Sequence, residues 1–566
     1  ASLVGSEMCI RDRLDAASNY SYFYPNSIWK GAGGFNVSNA AVNEYEILAD
    51  NGYIYTVDQV IEPLETIYTQ LESNENYSIF FDLYNDNTTY TYDATLSKDF
   101  GAALGTDSLF IHTHGTSLPA IAVEWYSTKY SDVANNASKA YSVFAPSDVA
   151  MNNFFDNYWE KGGYESLDDV DDLAMKYMLN QFIYKDGIAF PDEITSGKVK
   201  NMYDMVFNFD PSKVKDKSMC VNGVFYGLST IDTPILFASA VGPAFRNKDC
   251  NYYLYMLDGA GLVTAYSSQD TKYVLLVPTN EQIESEDIYL RTYADGSKLQ
   301  QETEDGLVDV SSSIMRTIVN IHTATGVDEL KATGTQVLTT QTGFNYWYVK
   351  DGKIASSAAY NQILEPDNNA EPFVEFTEVK NGNDSWNNGK TYMYDGTALF
   401  KAQEGDGLQH KLSVCNDVRY VYYQFAQLLQ KAGMVMSSNY IFGLAGASHV
   451  IGFIPTNEAI STAIAAGQIP GMDVTGAVTS SSKLRQYLLS YFIRDMENAL
   501  ISYPYPGSAM KNSTYVTASG KSLVYTDTGS SLSIMVDGKV ANVISDYNFF
   551  PFAFDDGCFQ LIDTVL

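Results

Sequence analysis

Residues 141–155 read YSVFAPSDVAMNNFF. Tyr141 to Ala145 is β-prone and apolar, as a buried strand requires. Pro146 keeps the residue before it extended, so the strand cannot run smoothly into a helix. Ser147 is placed to cap the helix that follows, and Asp148 puts negative charge at that helix's positive end. The phrase therefore encodes a strand, a sharp corner and a capped helix. It returns as YVLLVPTNEQI from 273 and as HVIGFIPTNEAI from 449, with Pro278-Thr279 and Pro455-Thr456 at the corners. Thr279 and Gln282 have the spacing of a capping box. Three occurrences in one chain point to a repeated domain.

A second phrase recurs with it. Asn51-Gly52 opens NGYIYTVDQVI, Asn222-Gly223 opens NGVFYGLSTIDTP, Asn388-Gly389 opens NGKTYMYDGTALF, and Asp556-Gly557 opens DGCFQLIDTVL. Each is a tight-turn signal followed by a β-rich run. The runs end on Asp58, Asp232, Asp395 and Asp563, which are separated by 174, 163 and 168 residues. That period is domain-sized and too long for a solenoid. The chain reads as three complete copies preceded by the tail of a fourth.

Val143-Phe144-Ala145-Pro146-Ser147-Asp148 resembles the first conserved box of the fasciclin (FAS1) domain, and the Asn-Gly runs resemble its second box. The boxes follow the family's order, and the resemblance covers almost the whole chain from about residue 14. It implies an α+β fold of tandem fasciclin-type domains, each a β-sandwich wedge with packed helices. The two boxes outline 14–62 as the C-terminal part of a truncated domain and 63–233, 234–402 and 403–566 as full domains. Joints this short imply that neighbouring domains touch. Residues 85–135 read as an insertion, and PILFASAVGPAF from 234 reads as an interdomain strand or core segment.

The N-terminal stretch stands apart. Leu3 to Arg13, LVGSEMCIRDR, has no strand or helix period and resembles the conceptual translation of a sequencing adapter. Residues 1–13 are therefore set aside as an artefact. A natural start, and any leader with it, is expected to be missing. The adapter-like start points to a metagenomic source, and the Asn- and Tyr-rich style resembles bacterial proteins of the Bacteroidota type. A lipoprotein signal in the missing leader would then place the array on the outer surface, anchored to the membrane only there.

Hydrophobic content of 45% is enough for several packed cores despite a net charge of −33. That charge disfavours nucleic acid and anionic lipid as partners, since both need clustered Lys and Arg. No apolar stretch approaches the roughly 18 residues of a membrane span. The 43 tyrosines, with abundant Asn, Ser and Thr, suit a wet extracellular surface. Cys220, Cys250, Cys415 and Cys558 have no metal-type spacing and read as buried thiols, with a Cys415–Cys558 pair as the alternative.

Candidate functional residues are few. The adhesion-associated Tyr-His pair of the resembling family falls on the segments 177–183, 313–322 and 487–493. The second keeps a histidine, His322, but behind Ile321 instead of tyrosine; the others carry Phe182 and Phe492. A buried aromatic anchoring the core suits these substitutions, so adhesion is carried over only at family level. His112 and His114 share one face of a strand, which suits a metal ion, yet no third ligand stands nearby in sequence. The acidic run from Asp168 to Asp172 lacks the glycine and alternation of a calcium loop and reads as a helix start near Leu173. There is no G-x-S-x-G elbow, P-loop, dinucleotide glycine pattern or H-E-x-x-H, so neither catalysis nor a cofactor is expected. The expected partner is an extracellular protein or polysaccharide. The alternative function is a glycan-binding accessory lipoprotein, with Tyr346, Trp347 and Tyr348 stacking on sugar faces.

Overall fold

Each proline-ended apolar run forms a strand: Tyr141–Pro146, Tyr273–Leu276 and His449–Pro455. These are called leading strands below. A helix follows each corner, at Asp148–Asn157, Asn280–Glu284 and Asn457–Ala465. The computed structural model describes residues 17–31, 34–114, 118, 121, 140–184, 187–207, 210–294, 296–367, 371–382, 384–403, 407–495, 513–544 and 550–566. The adapter-like residues lie outside the described part.

The turn phrases also form strands, at Gly52–Val57, Gly223–Leu228, Gly389–Tyr394 and Gly557–Ile562. These are the closing strands. In all four the glycine pairs with the residue three positions before it, across a two-residue turn: Ala49 with Gly52, Cys220 with Gly223, Trp386 with Gly389, Phe554 with Gly557. In three of them the closing strand runs parallel to a leading strand in a matching register. Tyr141 stands opposite Gly223, Tyr273 opposite Gly389 and Val450 opposite Gly557. Parallel neighbours require a crossover. Here it includes a short strand that pairs antiparallel with the other edge of the leading strand, at Ile183–Tyr184, Thr323–Thr325 and Phe492–Asp495. Three stretches of weakly similar sequence thus reach one topology, mixed in strand direction and surrounded by helices. The class is α+β.

The chain divides into two compact units, Ala1–Leu254 with Tyr293–Ser297, and Tyr255–Thr292 with Lys298–Leu566. In the first unit the sheet order is Ile183–Tyr184, Tyr141–Pro146, Gly223–Leu228, Val214–Cys220. Phe144 of the leading strand stacks on Tyr226 of the closing strand at 5.0 Å. The apolar segment from 234 belongs to this unit's core. Tyr158 donates its hydroxyl proton to the Phe237 carbonyl at 2.8 Å, and the Trp159 indole N–H donates to the Phe245 carbonyl at 3.1 Å. Residues 234–246 therefore pack against the 63–233 copy.

In the second unit a seven-stranded sheet carries the third copy, and its strand Tyr346–Lys350 lies next to an edge. Trp347 and Val349 face one core cluster with Val274, Ile321 and Tyr394. Tyr346 and Tyr348 face the opposite way, into a cluster that includes Phe453, Phe492 and Phe550 of the last copy. Alternation along one strand thus serves two cores.

Candidate functional site

The recurring corner is built the same way each time. Ser147, Thr279 and Thr456 sit in extended conformation and accept from the backbone N–H three residues on, at 3.2 or 3.3 Å. The Thr279 cap is a complete capping box, since its own N–H donates to Gln282 Oε1 at 2.9 Å. The next side chain ties the corner to an earlier helix. Asp148 Oδ1 accepts from the Ile79 N–H at 2.9 Å, and Asn457 Oδ1 accepts from the Gln424 N–H at 2.8 Å. Both donors lie in the first turn of their helices, Ser78–Asp86 and Tyr423–Lys431.

The turn phrase is the other half of the lock. Gly223, Gly389 and Gly557 have φ of 141°, 155° and 156°. A Cβ at any of them would collide with the carbonyl oxygen of Tyr141, Tyr273 or Val450 on the leading strand. Only glycine allows that approach. The residue before it fixes distant backbone. Asn222 Oδ1 accepts from the Ile67 N–H at 3.0 Å, Asn388 Nδ2 donates to the Tyr266 carbonyl at 2.8 Å, and Asp556 Oδ1 accepts from the Leu408 N–H at 2.5 Å. The aspartates at the run ends are also structural. Asp58 and Asp563 accept the N–H of Ala41 and Asn542 at 2.7 and 2.9 Å, and Asp232 pairs with Lys213 at 2.6 Å. Among the described residues Asp395 receives no such side-chain bond; its N–H donates to the Glu375 carbonyl at 2.9 Å.

The positions that match the family's adhesion motif are all interior. Phe182, His322 and Phe492 end the helical segment before the crossover strand, and all three are buried. His322 is held at both ring nitrogens. Nδ1–H donates to the Ile318 carbonyl at 2.7 Å, and Nε2 accepts from the Tyr394 hydroxyl at 3.0 Å. Burial lowers its pKa to about 4, against a small opposing effect from the Ile318 bond, so the ring is neutral.

The glycan expectation needs correction. Tyr346, Trp347 and Tyr348 are at most 3% exposed, because both faces of their strand are covered. Trp347 Nε1–H donates to the Ile321 carbonyl at 2.9 Å, and the Tyr348 hydroxyl donates to the Pro551 carbonyl at 2.8 Å. No ring of the three is available to a sugar.

His112 and His114 lie on the strand Phe110–His114, but their side chains fall outside the described residues. Among the described residues no group of three His, Cys, Asp or Glu is placed to hold a metal ion. The acidic run starts the helix Asp172–Gln181: Asp171 accepts the Leu173 N–H at 2.9 Å, and Asp169 pairs with Lys248 at 2.7 Å. Cys220, Cys250, Cys415 and Cys558 are buried free thiols, and burial raises their pKa values, to about 11 for Cys415. No described helix is long and apolar enough to cross a membrane.

One surface escaped the sequence reading. The hairpin Ala40–Ala49 and Gly52–Val57 exposes Tyr45, Leu48, Tyr53 and Ile54. The signal was present in NGYIYTV, but the corresponding runs Gly223–Leu228 and Gly557–Ile562 are buried.

The fold and these contacts define a class: a chain of repeated α+β modules, each locked by a glycine-mediated pairing of a leading and a closing strand. No protein-family model matches the chain, and no curated protein matches it. Among solved structures it is similar to a FAS1 domain pair from the insect cell adhesion molecule fasciclin I, at 14% identity and a TM-score of 0.23, covering 56% of this chain and 95% of that one. So low a TM-score carries no assignment. The module itself rests on the threefold register.

Proposed function

We propose that the chain is a non-enzymatic adhesion or interaction protein of tandem fasciclin-type modules, presented outside the cell. The supporting observation is the coincidence of two phrases with one register: each complete copy brings its proline-ended strand parallel to its glycine-headed strand. Repeated modules of this kind present several like surfaces in one chain, which suits multivalent adhesion. The net charge of −33 directs the reading away from nucleic acid and toward a neutral or basic protein ligand. Burial of Trp347 and its neighbours leaves the glycan alternative without its platform.

The test is a binding measurement on beads coated with the full chain, against extracellular-matrix proteins and whole bacterial cells. Saturable adhesion that is lost after heat denaturation is the expected result. Reproducible turnover of an ester, peptide or glycoside panel that co-purifies with the chain would overturn it.

A further inference from the structure

The second copy carries an addition that the fourth does without. In the fourth, residues 432–448 join the helix Tyr423–Lys431 to the leading strand. In the second, the join from the helix Ser78–Asp86 runs over 87–140 and includes a hairpin of its own, Thr88–Tyr92 paired with Phe110–His114. Neither strand contains Asp, Glu, Lys or Arg, in a chain that has 68 acidic and 35 basic residues. Alternation puts Thr88, Tyr90 and Tyr92 on one face, with Phe110 directly opposite Tyr92. That face is turned outward, since Tyr90, Tyr92 and Phe110 are 60%, 52% and 56% exposed. The Tyr92 and Phe110 rings meet edge to face at 6.0 Å. Toward the other end of the row the Tyr90 hydroxyl stands 3.5 Å from that of Tyr68, which donates to Asn85 Oδ1 at 3.1 Å.

We propose that this face binds a neutral polysaccharide. Exposed rings give the apolar C–H face of a sugar a surface to stack on, and the phenol hydroxyls of Tyr90 and Tyr68 meet its hydroxyl groups. Tyr90 and Tyr92 stand about 7 Å apart along the strand, so an extended chain of sugars lying on Thr88–Tyr92 meets both rings. Two strands without acidic or basic side chains match an uncharged ligand, and an anionic one would be repelled by a net charge of −33. A protein hot spot is centred on a desolvated pocket, whereas this row is open and its polar tips are wet. The hairpin is an addition to a module that the fourth copy closes without it, which suits a role in recognition more than one in folding. The inference goes beyond the adhesion reading, and its rings are not those of Tyr346, Trp347 and Tyr348.

The experiment is native affinity electrophoresis of the full chain in gels containing starch, galactomannan, xyloglucan or laminarin, with heparin and alginate as anionic comparators. Retardation by at least one neutral polymer and by neither comparator is expected. Tyr90→Ala and Tyr92→Ala should each weaken it by on the order of tenfold or more, at an unchanged melting temperature because both side chains are exposed. Tyr92→Phe keeps the ring and should keep most of the affinity, and Phe110→Ala gives a further reading should a tyrosine variant fail to fold. Retardation by none of the neutral polymers, or retardation that the alanine variants leave unchanged, overturns the proposal. Retardation by heparin or alginate alone overturns it too. Matrix-protein adhesion that is lost in Tyr92→Ala, with no polysaccharide bound, would assign the face to a protein partner and overturn it as well. The bead assay with matrix proteins does not depend on these gels, so failure of either reading leaves the other standing.

Discussion

Glycine 389 and glycine 557 carry a demand that no other residue meets, because each lies with positive φ against a leading-strand carbonyl. Gly389→Ala and Gly557→Ala are expected to cost about 2–4 kcal/mol, from strain plus the displacement of backbone. Gly52→Ala should cost under about 0.5 kcal/mol, since its surroundings are open. Urea midpoints of the three variants, compared at equal m-value, check the contrast. His322 provides a pH signature. Neutral in the fold, with a pKa of about 4 against 6.5 ordinarily, it takes up its proton first in the unfolded chain. Its contribution is complete above pH 6.5 and is lost as pH falls toward 4, by up to about 3 kcal/mol. The difference in stability between the native chain and His322→Phe should therefore shrink between pH 6.5 and 5. A difference that is flat over that window would exclude a neutral buried ring. Tyr394 would lose its acceptor in this variant, a fixed cost of about 1 kcal/mol that does not depend on pH there.

The strand Tyr346–Lys350 shows what elements add to residues. Trp347→Ala is expected to lose about 3–5 kcal/mol through the cavity it leaves in the third copy's core. Tyr348→Phe keeps the stack on Phe550, at 4.7 Å, and loses only the bond to the Pro551 carbonyl. A loss of about 1 kcal/mol in chemical denaturation is expected. The capped corners were legible because Pro146, Ser147 and Gln282 act on their immediate neighbours. The turn glycines were legible for the same reason. What the strand YWYVK would face was not, since a period of two says that sides alternate but not that both sides are covered. The exposure of Tyr53 and Ile54 was equally hidden, because whether a sheet edge is paired depends on a strand elsewhere in the chain. The placement of 234–246 on Tyr158 and Trp159 is a third such case: the segment's apolarity predicts burial, not the copy that buries it.

At the scale of the molecule, the third and fourth copies share one core. Tyr348 and Tyr360 pack against Phe550 and Phe552, and Asn361 Nδ2 donates to the Ala553 carbonyl at 2.7 Å. A fragment of residues 255–566 is expected to unfold in a single calorimetric transition, with matching van't Hoff and calorimetric enthalpies. The shorter 403–566 fragment should bind a hydrophobic dye that the longer one excludes, because the aromatic surface at Phe550 and Phe552 would be uncovered. Two resolved transitions in the longer fragment would show that the shared core does not couple the copies.

Parallel pairing also constrains biosynthesis. Val450 emerges from a ribosome long before Gly557, and the apolar run that starts there has no closing strand until the very end of its copy has been made. A nascent chain must therefore carry unpaired, aggregation-prone segments through much of its own translation. Slow codon usage or chaperone supply late in each copy should govern the yield of native protein more than the speed at which any single helix forms.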